Sequence, residues 1–165
     1  MFIDASTIAP IIEAHDDIVD LIPKIESYKS AIKFAESAMN IWSEGFFSSN
    51  YQRGQYTQAK KEKEEAESNL NKSTQKLNNL IDNLKDYASK YYYGEFSGWV
   101  AYHKFKSLNG EGSISIPSEM IFFFDENFTT CNGYEVDTMM TLTDLIEAVN
   151  NATSDDDIID YFKNE

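Results

Sequence analysis

Residues 55–93 read QYTQAKKEKEEAESNLNKSTQKLNNLIDNLKDYASKYYY, and the spacing of their apolar and small side chains decides the fold. Tyr56, Ala59, Ala66, Leu70, Ser73, Leu77, Leu80, Leu84, Tyr87 and Tyr91 follow one another in alternating steps of three and four, with Lys63 as the one charged member of the row. That spacing keeps every member on a single seam of an α-helix. No proline or glycine interrupts the stretch, and Gly94 supplies a C-terminal stop.

The preceding segment carries the same alternation. Ile11, Ala14, Ile18, Leu21, Ile25, Tyr28, Ile32, Ala35, Met39, Trp42 and Phe46 form a second row, with Thr7 as an N-cap and Pro10 tolerable in the first turn. Pro23 lies inside this row, lacks a donor and crowds the preceding turn, so a break near Ile22–Pro23 is expected, giving two helices rather than one. Residues 45–54, with Gly45, Gly54 and a polar cluster, read as the turn between arms at 7–45 and 55–93. A short link between long helices forces them antiparallel. The implied register opposes Tyr56 to Trp42, Ala59 to Met39, Lys63 to Ala35, Ala66 to Ile32 and Leu70 to Tyr28, mostly large against small. Lys63 can lay its stem on the seam and reach Glu36 of the other arm.

After Gly94 the period changes to two. Trp99, Ala101, His103 and Phe105 alternate with Val100, Tyr102, Lys104 and Lys106, which is a strand pattern. Residues 109–112 read as a turn, Ser113 to Ile116 and Glu119 to Phe124 as strands, and Asp125-Glu126-Asn127 and Asn132-Gly133 as further turns. Together residues 95–136 predict an antiparallel meander of three or four strands, one face of which should pack on helices. Two short helices over 141–163 close the chain, the first capped by Thr141 or Thr143, the second by Thr153 or Ser154 with Asp155, Asp156 and Asp157 at its positive end. The expected fold is thus α+β: a long antiparallel, coiled-coil-like helical hairpin, a small β-meander and two short helices, organised as a single domain over 1–165.

The net charge of −14 is unevenly spread. Residues 1–23 hold five acids and no lysine or arginine, residues 24–124 are nearly balanced, and residues 125–165 hold eleven acids against Lys163 alone. Direct binding to a phosphate backbone needs a basic face, so nucleic acid is not the expected partner; a protein with a basic surface is. No stretch approaches the roughly 20 apolar residues of a membrane helix, and with Met1 as the native start the expected location is the cytoplasm. Cys131, the only cysteine, reads as a buried, inert thiol.

No catalytic, cofactor or metal signature appears. Asp125-x-Asn127-x-Thr129 begins like a calcium loop, but Thr130 and Val136 stand where glycine and glutamate are needed. His15 and His103 lack ligand spacing, and Asp155–Asp157 is accounted for by a helix N-terminus. Phe46, Phe47 and Tyr51 cluster at the expected turn, where polar residues are usual, and mark a contact site. The leading expectation is therefore a non-enzymatic protein-binding protein with a rigid arm and an aromatic tip. The second is an acidic inhibitor, of the kind phages and mobile elements encode, that mimics nucleic acid in a basic nuclease groove through Asp155, Asp156 and Asp157. The third is a small-molecule site or enzyme on the sheet near Trp99 and His103.

Overall fold

Both long rows fold as helices. The computed structural model describes residues 3–43, 50–92, 98–108 and 115–164. A 3-10 turn (Ala5–Thr7) leads into α1 (Ile8–Ser43), followed by α2 (Asn50–Tyr91), β1 (Gly98–Leu108), β2 (Ser115–Asp125), β3 (Cys131–Glu135), α3 (Val136–Asn151) and α4 (Asp155–Asn164). The fold is α+β, with a helical hairpin, a three-stranded antiparallel sheet and two C-terminal helices. The chain divides into two compact units, His15–Asp82 and Met1–Ala14 together with Asn83–Glu165.

In the first unit the two arms bury the expected seams. On α1 Ile18, Leu21, Ile25 and Ala35 are buried, while Tyr28, Ile32, Met39 and Trp42 are half-buried. On α2 Ala59, Ala66 and Leu77 are buried, while Tyr56, Lys63, Leu70, Ser73 and Leu80 are half-buried. Two ion pairs cross between the arms, Lys63 to Glu36 at 2.8 Å and Lys76 to Asp17 at 3.0 Å. The higher α2 number meets the lower α1 number, so the arms run antiparallel. Lys63 does reach Glu36, which with Glu67 holds its ammonium above the ordinary lysine range.

Three expectations in this region are corrected. Pro23 does not split α1, which runs unbroken through it. Ile22 and Ile25 are buried on either side of it, whereas Pro23 and Val19, whose carbonyl loses its donor, are exposed. Packing on the seam side therefore outweighs the missing bond on the water side. The second arm begins at Asn50 rather than 55, with Gly54 inside it, where a Cβ would meet nothing within 4 Å. Thr7 is not a donor-accepting cap: its hydroxyl donates to the Asp4 carbonyl at 2.7 Å, and Asp4 caps the 3-10 turn through Ser6 N–H.

In the second unit the start of α1 and the end of α2 pool apolar side chains with α3 and α4. Ile8, Ile11, Leu84, Tyr91, Ile146 and Ile158 are all essentially inaccessible to water. Lys85 binds Asp155, Asn150 reaches the Ala88 carbonyl at 3.5 Å, and the Asp4 N–H reaches the Tyr91 carbonyl at 2.9 Å. α3 starts at Val136 rather than at residue 141, and Thr141 and Thr143 do not cap it. Their hydroxyls turn back to the carbonyls of Asp137 and Met139. At α4 the expected cap forms. Ser154 Oγ accepts the Asp157 N–H at 3.3 Å, and the Asp157 carboxylate accepts the N–H groups of Thr153 and Ser154.

The sheet has three strands in the order β1-β2-β3. Ser113–Ile116 and Glu119–Phe124 were expected as separate strands, but β2 runs through Pro117, which opposes Lys106. β3 pairs only with Met120–Phe124, so Pro117 lies where β2 has a neighbour on one side alone and can lack a donor. Asn132-Gly133 is not a turn; both residues are in β3, opposite Phe123 and Phe122.

Two substitutions test these accounts. Pro23→Ala restores one helix hydrogen bond at an exposed site, so urea unfolding of the full chain should show a gain of roughly 2 kcal/mol; a loss would mean that Pro23 serves the packing. The Tyr91 hydroxyl is buried with no well-formed hydrogen bond among the described residues, and burial pushes its pKa up against a weaker opposing pull from the nearby Thr143 hydroxyl. Tyr91→Phe should hold or raise the melting temperature, whereas Tyr91→Ala should cost about 3–5 kcal/mol.

Candidate functional site

Alternation along the strands gives the sheet two unlike faces. One carries Val100, Tyr102 and Lys104 of β1, Glu119, Ile121 and Phe123 of β2, and Asn132 and Tyr134 of β3. α3 packs against β2 and β3. On this face Phe123 is buried, its ring edge-on to Tyr134 at 6.0 Å, while Val100 is 62% and Tyr102 53% exposed. Toward β1, Glu119 accepts hydrogen bonds from Lys104, at 2.6 Å, and from the Tyr102 hydroxyl. Lys104 and then Tyr102 hold the Glu119 carboxyl below its ordinary range, and Glu119 raises Lys104 in return.

The other face carries Trp99, Ala101, His103 and Phe105, then Met120, Phe122 and Phe124, then Cys131, Gly133 and Glu135. None of these residues is buried. Trp99 is 52% exposed, and Phe122, Phe124 and Met120 are only half-covered. Cys131, expected to be buried, is exposed on this face beside Phe124. The rings touch one another: Phe122 lies 6.4 Å from Phe124, and His103 stacks on Phe105 at 5.5 Å. Gly133 is part of the arrangement. A Cβ there would come within 2.8 Å of the Phe122 ring and 3.1 Å of the Met120 methyl, so the glycine gives both side chains a flat backbone to lie on.

The turn after β2 extends the same surface. Asp125 Oδ1 accepts the N–H groups of Thr129 at 2.6 Å and Thr130 at 3.0 Å, and Oδ2 takes the Thr129 hydroxyl. These bonds hold the carboxyl below its ordinary range, the Thr129 hydroxyl contributing most. The turn keeps Phe128 at φ 57°, a left-handed conformation that costs an aromatic residue about 1–2 kcal/mol. Phe128 is nonetheless 62% exposed, stacked on Trp99 at 5.9 Å and 16° and packed on Phe124 at 5.6 Å. At the Trp99 and Asp125 end of the sheet, bordered by Ile3, Ala5, Val100 and Phe123, there is an open groove of about 220 Å³, and beside Phe105, Met120, Glu135 and Asp137 a trough of about 590 Å³. His103 lines neither.

The hairpin unit has an apolar surface of its own. Ala31, Phe34, Ala38 and Ile41 repeat the three-and-four alternation one stripe away from the seam. Phe34 is 75% exposed and Ile41 70%. Tyr51, in the first turn of α2, is also exposed, with Trp42 edge-on at 6.2 Å. Phe46 and Phe47, the other two residues of the expected aromatic tip, lie outside the described residues. The spacing of Phe34 and Ile41 matches that of the seam and is the signal in the sequence that marks them.

The C-terminal acids do not form a shared patch with one role. Asp155 binds Lys85, Asp157 closes the capping box of α4, and Asp156 is exposed. Thr153, first in effect, holds the Asp157 carboxyl below its ordinary range. Among the described residues no three histidine, cysteine or acidic side chains cluster so as to hold a metal ion, and no helix is long and apolar enough to cross a membrane. No protein-family model, curated protein or solved structure matches the chain.

The turn makes a pH prediction. A carboxyl depressed in the folded state contributes stability above its unfolded value, and that contribution disappears as the pH falls through the lower folded value. Asp125, Glu119 and Asp157 all shift in this direction. The urea midpoint should therefore fall as pH drops below about 4. Asp125→Asn should lower the midpoint at neutral pH and flatten the acid limb; an unchanged limb would mean that the Asp125 turn does not contribute.

Proposed function

We propose that this is a non-enzymatic protein-binding protein whose helical arm receives a helix of its partner. The observation that carries the reading is the second apolar stripe, with Phe34 and Ile41 in water seven residues apart on α1. Two helices that bury one seam satisfy each other. A further stripe at the same spacing on one of them has the pattern a third helix fills by inserting side chains between Phe34, Ala38 and Ile41. Exposed Tyr51 belongs to the same unit and suits an anchor, as tyrosine has a large apolar body and a polar tip. Phe46 and Phe47 remain proposed contacts of the tip. A decoy role for the acidic C-terminus is less well supported, because Lys85 and the α4 cap occupy two of its three adjacent carboxylates.

A photo-crosslinking residue at Ala38, used in the native host, should capture one partner protein through a helical segment. Phe34→Ser/Ile41→Ser should cut that capture about tenfold. The melting temperature should stay level, because both side chains leave water-facing sites. Capture undiminished by the double substitution would overturn the reading.

A further inference from the structure

We infer that the uncovered face of the sheet docks a basic amphipathic helix supplied by another protein. This site lies in the other compact unit and stands independently of the arm. Its apolar content comes from half-covered Met120, Phe122 and Phe124 and from exposed Phe128. Two local features hold these side chains in place rather than letting them bury themselves. Gly133 leaves room for the Phe122 ring and the Met120 methyl, and the Asp125 turn keeps Phe128 outward in a strained conformation. Strain held in place to keep an aromatic ring in water is characteristic of contact sites.

The size and charge of the face identify the occupant. Three strands about 4.8 Å apart and seven residues rising about 3.3 Å each span roughly 20 by 14 Å. A helix with its side chains is about 10–12 Å wide, so one helix of about four turns covers the face. A second copy of this chain is a poor fit. Each copy would bring its net charge of −14. The face itself carries no lysine or arginine: Lys104 and Lys106 alternate to the opposite side, and Glu119 holds Lys104 there. Carboxylates stand at both ends, Glu126 in the turn beside Phe128, and Glu135 and Asp137 in the trough beside Phe105 and Met120. Basic residues flanking an apolar stripe match that arrangement, with the stripe on the rings and the cations at the ends.

Cys131 supplies the readout, because the only thiol of the chain is exposed on this face. The probe is a synthetic helix of about 18 residues with leucines at three-and-four spacing and lysines elsewhere, compared with its glutamate counterpart. The lysine peptide should bind the full-length protein with a Kd on the order of micromolar. At saturation it should slow modification of Cys131 by an aromatic disulfide about tenfold, and salt should weaken it. The glutamate peptide should do neither. Phe128→Asn, which relieves the left-handed strain and so keeps the fold, and Phe124→Ser should each weaken binding about tenfold. Glu135→Gln/Asp137→Asn should weaken binding and flatten its salt dependence. Binding that leaves Cys131 fully reactive, or that survives both ring substitutions, overturns the proposal. So does protection of Cys131 that needs no peptide and grows with protein concentration, which would assign the face to a second copy.

Discussion

Burial of a shared seam between two antiparallel helices, with alanines at its most buried positions, is the constraint on which the hairpin unit depends. Ala35, Ala59 and Ala66 are the most deeply buried seam residues in its apical half, and the larger Tyr56, Tyr28 and Met39 are only half-covered around them. Small residues let the backbones approach, and large ones then close the sides of the gap. That geometry also explains why Lys63 is tolerated: its stem fills seam volume while its ammonium reaches Glu36 at the rim. It explains Pro23 as well. A proline on the solvent side of a helix held by buried Leu21, Ile22 and Ile25 loses one hydrogen bond, while the packing that defines the helix is untouched.

The sheet is under the opposite constraint, since α3 packs against β2 and β3 and one face holds no buried residue among those described. Its middle strand places apolar side chains on both faces: Ile121 and Phe123 on one, Met120, Phe122 and Phe124 on the other. A middle strand apolar on both sides is usual where both sides are covered. Here one side is left to water, and the rings reduce the cost by lying on one another and on Gly133. At the β1–β2 end Gly98 sets the spacing, since a Cβ there would sit 1.7 Å from the Phe124 carbonyl oxygen.

The hairpin was legible in the sequence because its signal is periodic over many residues, so a single exception such as Lys63 or Pro23 does not erase it. The pairing of Lys63 with Glu36 followed from that register. The errors fell where a residue's meaning depends on its neighbour across the sheet. Asn132-Gly133 has the composition of a turn, and only Phe122 lying over it explains a glycine within β3. Pro117 reads as a strand break unless β3 is known to stop short of it. The exposure of Cys131 depended on which face α3 would cover, a choice that alternation leaves open. Of the expected contact residues, Tyr51 is exposed, and Asp155 and Asp157 turned out to be engaged within the fold.

Charge then separates what the C-terminal acids do for the fold from what they leave for a partner. Asp157, Asp155 and Asp125 are used locally, as a helix cap, an ion pair with Lys85 and the anchor of a turn. Asp157 and Asp125 direct their charge at N–H and hydroxyl donors, and Asp155 directs its charge at the Lys85 ammonium. Glu126, Glu135 and Asp137 lie at the ends of an apolar surface, Glu135 at the N-cap position of α3 without a side-chain capping bond and Asp137 in its first turn. A carboxylate beside exposed aromatic rings acts in a medium of lower dielectric once a partner excludes the water, so its attraction for a cation grows on docking. On the proposed docking, the selective part of the −14 charge would lie beside the sheet's rings, while Asp157 holds the first turn of α4.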